Sequence, residues 1–264
     1  MRYALLSDIH GNIYALKECL KIIDQKNIDE IIWVGDYVTD FPNGHDVIEL
    51  VRSYELKYKC YIIRGNRDQK IIDYKNGKDF YLTEKSNVEF TYNCLKEDDV
   101  KWLESLPEKI IINAPNNKLI YVTHKCVYDF IENCRYKVSG HNHKQSIQEI
   151  DNVKYINPGS IGINTDGCFG AQFILMEITN NSEKFEKYKI EYDTTDLINN
   201  LRKTPIYNDN IKWGRLLEAG VLSGKNYPDF CVEEYKKLLK DNNIEDNSLD
   251  CWKIAFNKTM SNPL

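Results

Sequence analysis

The chain has 264 residues, enough for one or two domains and for a core that buries roughly three quarters of the extended chain's surface without disulfides or a structural metal. Hydrophobic residues at 42% and charged residues at 28% exclude a disordered or fibrous chain. The 35 basic and 40 acidic side chains leave a formal charge of −5, which weighs against sequence-independent binding of long nucleic acids.

In chain order, residues 3–7 form an apolar run that reads as a first strand and meets Asp8 too soon to be the apolar stretch of a signal peptide. Residues 13–23 carry Leu16, Leu20 and Ile23 at helical spacing, 30–34 are apolar again, 46–55 are a helical candidate, and 59–63 form a third strand. Strands separated by helix-patterned segments predict parallel βαβ units. Residues 88–106, with Phe90, Leu95, Val100 and Leu103, predict a long helical segment. Beyond Pro107 the runs 109–112, 118–122, 136–139, 145–150, 153–156, 171–178 and 184–192 are short and β-branched or aromatic. Asn116-Asn117 and Asp151-Asn152 are the expected hairpin tips.

The pattern predicts an α/β fold over residues 1–193, a four-layer αββα sandwich of two mixed sheets flanked by helices. Helical patterning returns at 194–202, 211–219, 229–239 and 248–257. This C-terminal helical extension, residues 194–264, is expected to pack on the first unit through Trp213, Leu216, Leu217, Tyr235, Leu238, Leu239, Trp252, Ile254 and Phe256. No run approaches the ~20 apolar residues of a membrane span. Eight scattered cysteines without a C-x-x-C pair predict reduced thiols in a cytoplasmic protein, not a thiolate zinc site.

The five histidines are His10, His45, His124, His141 and His143, and four of them fall where an apolar run ends beside Asp, Asn or Gly. The segments Asp8-Ile9-His10, Gly35-Asp36, Gly65-Asn66-Arg67-Asp68, Thr123-His124 and Gly140-His141-Asn142-His143 each follow a predicted strand. Carboxyl ends of strands are where α/β sheets bind ligands. Asp8, Asp36 and Asn66 recur at intervals of about 30 residues, the length of a βαβ unit, so they should project side by side. Carboxylates, imidazoles and a carboxamide suit a pair of divalent cations. One carboxylate between two ions offsets their repulsion, and neutral donors avoid piling negative charge against an anionic substrate. The absence of cysteine near the cluster favours manganese or iron, with zinc, nickel or magnesium as alternatives.

These five blocks, in order over residues 1 to 165, resemble those of the calcineurin-like metallophosphoesterases. Gly11-Asn12 and Asn157-Pro158-Gly159-Ser160 look like the small bacterial and archaeal branch. The helical extension is similar to that of a bacterial subgroup proposed to cleave dinucleoside polyphosphates. The resemblance implies one metal on Asp8, His10 and His143, a second on Asn66, His124 and His141, and Asp36 bridging them with a hydroxide opposite as the in-line nucleophile. Asp36, Asn66, Arg67, Asp68 and His141 become catalytic candidates, and Asn12, Asn66, Arg67 and Lys125 candidate substrate contacts. The implied activity is a dinuclear-metal phosphohydrolase cleaving a phosphodiester or nucleotide phosphoanhydride, a dinucleoside polyphosphate among the candidates. The substrate is then a small phosphorylated molecule, with neither membrane nor long nucleic acid as partner, and the oligomeric state stays open. A serine/threonine phosphoprotein phosphatase and a non-catalytic protein-binding scaffold on the same fold are the alternatives.

Where many members carry Gly-Asn-His followed by an acid, this chain has Gly65-Asn66-Arg67-Asp68. Arginine cannot protonate a leaving group, but it can grip a phosphate in bidentate fashion. An ion pair with Asp68 or another acid is the competing role. The exchange predicts a leaving group that departs as a stable anion, as a nucleoside polyphosphate does. Lys125 stands where the pattern often has glycine, and with Arg64 it adds positive charge near the metals or lies solvated. Asn12 is equally a helix N-cap, His45 a helix-start residue, Asn157 a support for the metal shell and Gly159 a residue kept for its backbone conformation. Tyr37, Tyr128, Trp213, Tyr227 and Phe230 are core aromatics or stacking platforms for a base.

Overall fold

A computed structural model describes residues 1–128, 130–245 and 247–261. The chain alternates through β1 (Arg2–Leu6), α1 (Ile13–Asp24), β2 (Glu30–Trp33), α2 (Gly44–Glu55), β3 (Lys59–Ile62) and α3 (Asn66–Lys75), followed by α4 (Leu82–Cys94) and α5 (Glu97–Ser105). A strand-rich stretch supplies β4 (Lys109–Ala114), β5 (Lys118–Thr123), β6 (Cys134–Val138), β7 (Ser146–Ile150), β8 (Val153–Asn157), β9 (Ala171–Ile178) and β10 (Glu183–Ile190). The tail is α6 (Thr195–Arg202), α7 (Pro205–Asn208), α8 (Trp213–Ser223), α9 (Tyr227–Asp241) and α10 (Leu249–Ser261).

Two mixed five-stranded sheets result, ordered β10-β9-β1-β2-β3 and β4-β5-β6-β8-β7. In the first, β1, β2 and β3 run parallel and β9 is antiparallel to β1; in the second, β5, β6 and β8 are the parallel core. Successive side chains of a strand face opposite ways, and β1 uses both. Tyr3 and Leu5 join Ile32, Val34, Ile120, Val122 and Ile156 between the sheets. Ala4 and Leu6 join Leu16, Leu20, Trp33 and Val47 under the helices. A strand covered on both faces must be apolar nearly throughout, which is why β1 and β2 read as unbroken runs. The hairpin tips fall where expected, with Asn116, Asn117, Asp151 and Asn152 all at positive φ.

The expected helical segment over 88–106 is instead two helices: the chain is extended at Leu95 and Lys96, and the Asp99 carboxylate accepts the Lys96 N–H at 2.8 Å to start α5 afresh. In the tail, Leu197, Leu201, Trp213, Leu216, Leu217, Tyr235 and Trp252 form one buried cluster that also takes in Phe41 and Ile163 from the sheet-bearing part. Ile254, expected inside, is exposed: Trp252, Ala255, Phe256 and Thr259 make the buried stripe of α10, and Ile254 lies off it. Every cysteine is a free thiol, and no described helix is long and apolar enough to cross a membrane.

Candidate active site

Each of the five blocks lies just past a strand. Asp8 and His10 follow β1, Asp36 follows β2, Asn66 opens α3 after β3, His124 follows β5, and His141 and His143 follow β6. The parallel neighbours β1, β2 and β3 bring the first three together at one sheet edge. Asp8 (φ 55°), His10 (52°), Asp36 (57°), His141 (70°) and His143 (57°) all occupy the left-handed region. For a residue with a Cβ this costs of order 1–3 kcal/mol each and persists only where the surroundings dictate it. Here the backbone dictates it. Asp8 N–H donates to Gly35 O at 3.0 Å, and Ile9 and His10 N–H both donate to Asp36 O at 2.8 and 3.0 Å. His141 N–H reaches both Asp8 carboxylate oxygens at 3.1 Å. Gly140 permits that approach, since a Cβ there would stand 2.4 Å from Asp8 Oδ2.

The side chains converge. His143 Nε2 lies 3.2 Å from Asp8 Oδ1 and 3.1 Å from His10 Nε2. His124 Nε2 lies 3.2 Å from Asp36 Oδ2 and 3.8 Å from Asp8 Oδ1, and Asp36 Oδ2 is 3.9 Å from His10 Nε2. Two donor groups emerge, Asp8 with His10 and His143, and Asp8 with Asp36 and His124, each within 4.8 Å. Asn66 Oδ1 and His124 Nε2 are buried without a hydrogen-bond partner. Buried polar atoms are rarely left so, and with Asn66 on the same cleft wall as Asp36, His141 and His143, and His124 Nε2 facing the Asp36 carboxylate, the donor types fit a divalent cation. His124 Nδ1 donates to Val34 O at 2.7 Å and His10 Nδ1 to Asp40 Oδ2 at 2.8 Å, which fixes both rings with Nε2 toward the cluster.

Burial works against the charged form of His124, but Asp36 and Asp8 overcome it and push its pKa up to about 10; His143 is raised by Asp8 in the same sense. With its pKa so raised, the metal-free His124 ring favours its cationic form at neutral pH, and a cation binding at Nε2 would have to displace the second proton. Uptake of Mn2+ at pH 7 is expected to release at least one proton per molecule, with apparent affinity climbing as pH rises. Calorimetric titration in buffers of different protonation enthalpy measures this; a binding heat independent of buffer would contradict it.

Other residues frame the cluster. Asp68 is fully buried and accepts N–H groups from Gly65, Asp36 and Tyr37 at 2.8, 2.9 and 2.9 Å, so its carboxylate knits two loops together and has no contact with Arg67. Asn12 is also fully buried: its Oδ1 caps α1 at Ala15 N–H, and its Nδ2 donates to Gly162 O and Tyr192 Oη. It is committed to the fold and is not part of the cleft wall. Asn157 donates to Gly140 O and Asn142 Oδ1, bracing the loop that carries His141 and His143. Arg64, expected near the metals, turns instead to Leu103 O, Glu104 O and Glu108 at the end of α5. His45 lies in the first turn of α2, its ring on Asp99. Tyr37 is core, with its hydroxyl on Ile63 O, and Tyr128 lies exposed against Tyr155.

Asp40 was not legible as a site residue. It is buried at φ 68°, and its carboxylate receives Asn87 Nδ2, Trp213 Nε1 and the His10 ring. Burial opposes its charge, yet Arg67, His10 and Trp213 hold it far below the usual carboxylate range.

The cluster opens into a cleft of about 1200 Å³ whose wall includes Asp36, Asn66, Arg67, Lys70, Lys125, His141 and His143, with Trp213, Lys225 and Phe230 from the tail. Lys70 is paired with Glu84 at 2.8 Å. Arg67 makes no side-chain hydrogen bond or ion pair with any described residue, and its cationic form is favoured by Asp40 and Asp36 against the cost of burial.

An α/β sandwich with such donors gathered at its strand ends has the layout of a metal-dependent hydrolase. The sequence matches the calcineurin-like phosphoesterase superfamily domain over residues 1–181, and the chain belongs to that superfamily. It is a metal-dependent phosphoesterase, of a family that binds divalent metals and acts on small phosphorylated substrates. An uncharacterized protein of Methanocaldococcus jannaschii is 26% identical over 220 residues, covering 72% of this chain and 87% of its own. A phosphodiesterase of the same archaeon is 23% identical over 162 residues, covering 60% of this chain and 83% of its own. The solved structure of a metallophosphoesterase from Sphaerobacter thermophilus shares the fold with a TM-score of 0.63 at 20% identity, covering 85% of this chain and 99% of its own.

Proposed function

We propose that the protein hydrolyses a nucleotide phosphoanhydride or an activated phosphodiester, with a dinucleoside polyphosphate as the leading substrate, using two ions of manganese or iron. Asp8, His10 and His143 would hold one ion, Asn66, His124 and His141 the other, and Asp36 would face both. Ions so held polarise a phosphoryl oxygen and make water nucleophilic at neutral pH. Residues 1–193 form the catalytic unit in this reading, and the extension over 194–264 contributes to the cleft wall through α8 and α9.

The observation that carries the reading is the unpaired guanidinium of Arg67 on the cleft wall. With Asp68 spent on backbone N–H groups, Arg67 is free to grip two oxygens of a phosphate. It has no proton to give a leaving group, so it suits an anhydride or aryl ester and not an alkoxide. Lys125 and Lys225 add unpaired positive charge for further phosphates, and Phe230, 44% exposed on the wall, offers a ring for a base.

A manganese-supplemented screen with product masses recorded tests this: dinucleoside polyphosphate and aryl phosphodiester turn over, and a phosphoserine peptide does not. Preferential cleavage of the peptide would overturn it. Arg67→Ala should lower kcat/KM for the dinucleoside polyphosphate about 10- to 100-fold, the loss of a charge-assisted contact of about 1.5–3 kcal/mol. Arg67→Lys, with one point charge in place of the fork, should recover only part.

A further inference from the structure

We propose that Trp213, on the helical extension, is a positioning residue for the metal centre: with Asn87 it fixes the Asp40 carboxylate so that His10 keeps its proton on Nδ1 and presents Nε2 to an ion. The inference rests on reading His10 as a metal ligand. It reaches further, because it makes the extension part of the centre's construction as well as a wall of the cleft.

The contacts form one unbroken chain. Trp213 Nε1 donates to Asp40 Oδ1 at 2.8 Å, Asn87 Nδ2 donates to the same oxygen at 2.7 Å, and Asp40 Oδ2 faces His10 Nδ1 at 2.8 Å. All four residues are interior, with Trp213 4% exposed, Asn87 and Asp40 2% each and His10 1%. Two donors on Oδ1 leave the carboxylate one orientation, and that orientation directs Oδ2 at the ring. A buried indole N–H needs only some acceptor, and a carbonyl would serve at far lower desolvation cost than a carboxylate. The carboxylate becomes intelligible through its other oxygen. An anion opposite Nδ1 selects the tautomer with Nε2 free and makes the ring a stronger donor to a cation.

Trp213 lies 173 positions from Asp40 and opens α8, where its ring stacks on Trp252 at 6.3 Å between centroids. Trp213→Phe keeps an aromatic ring against Trp252 and removes the N–H together with part of the indole's packing, and Leu216→Ala controls for that lost packing. In a calorimetric Mn2+ titration of the full chain, wild type should bind two ions. Trp213→Phe should weaken one site about 10-fold and leave the other within about 2-fold, the size of effect usual for a group bonded to a metal ligand. Asp40→Asn turns an amide N–H₂ toward His10 Nδ1, forces the proton onto Nε2 and should weaken the same site by about 100-fold. Leu216→Ala cuts the core of the same helix without touching Asp40; it should lower Tm and leave both affinities in place.

As a measurement on wild type alone, the indole N–H resonance of Trp213 should shift as Zn2+ fills the centre. Unchanged affinities in Trp213→Phe, an equal loss in Leu216→Ala, or an unmoved indole signal each overturn the positioning role. A wild-type protein that takes up fewer than two ions overturns the metal-centre reading itself, and this proposal with it.

Discussion

Asp36→Asn is expected to lower kcat on an aryl phosphodiester by about 10³-fold or more at saturating Mn2+ and to leave the protein with fewer than two bound ions. Asp36 Oδ2 stands 3.2 Å from His124 Nε2 and 3.9 Å from His10 Nε2, so it faces ligands of both donor groups, while the Arg67 N–H pins Oδ1 at 2.7 Å. Asparagine keeps the shape and can keep the Arg67 contact through its carbonyl oxygen. It then turns an N–H₂ group, which donates and cannot ligate, toward the imidazoles. The charge that offsets repulsion between two cations is lost with it. Lewis-acid stabilisation by such a pair is worth several kcal/mol, and about 4 kcal/mol corresponds to 10³ in rate. Metal content by elemental analysis and the Mn2+-induced gain in Tm should both fall in step with kcat, because a ligand stabilises only the state that binds it. An Asp36→Asn protein holding two ions with near-normal kcat would remove Asp36 from the centre.

The gathering of these side chains at the strand ends was legible because its signal is local. A strand that ends in Asp-x-His or Gly-Asp announces both the sheet edge and a candidate donor within a few residues, and the parallel order of β1, β2 and β3 brings them together. Asp40 shows what was not. Four residues past Asp36 in a loop, it reads as an ordinary solvated acid; its burial comes from Asn87 and Trp213, 47 and 173 positions away. Arg64 errs in the opposite sense. Its place beside Gly65-Asn66 suggested the metals, but its guanidinium is drawn to carbonyls at the end of α5, contacts set by the packing of that helix. Helix α3 was missed because only Asp68, Ile71 and Ile72 are buried along ten residues, too few for a 3.6-residue stripe to register. Asn12 was ambiguous for a physical reason. A carboxamide that can bind phosphate can also cap a helix, and only the Gly162 and Tyr192 partners, 150 and 180 positions distant, decide between the two.

Gly35→Ala is expected to destabilise the protein by about 4 kcal/mol or more, against about 1–2 kcal/mol for Gly77→Ala. Both glycines have positive φ, 90° and 81°, so both substitutions carry the conformational cost of a Cβ in the left-handed region. They differ in what the new atom meets. At Gly77 nothing lies within 4 Å, whereas at Gly35 the Cβ would fall 2.5 Å from Gly65 N and 2.6 Å from Gly65 Cα. Those are backbone atoms, and Gly65 N is itself bonded to Asp68 Oδ2 at 2.8 Å, so no flexible side chain can step aside. The loops after β2 and β3 must separate, and they carry Asp36 and Asn66. Urea denaturation at constant m-value measures the two costs. If they came out equal, the close approach of these loops would not be what holds the donors together. If the difference stands, the surviving folded fraction of Gly35→Ala should also bind Mn2+ more weakly than Gly77→Ala, since the separation that relieves the clash moves the loops bearing Asp36 and Asn66 apart.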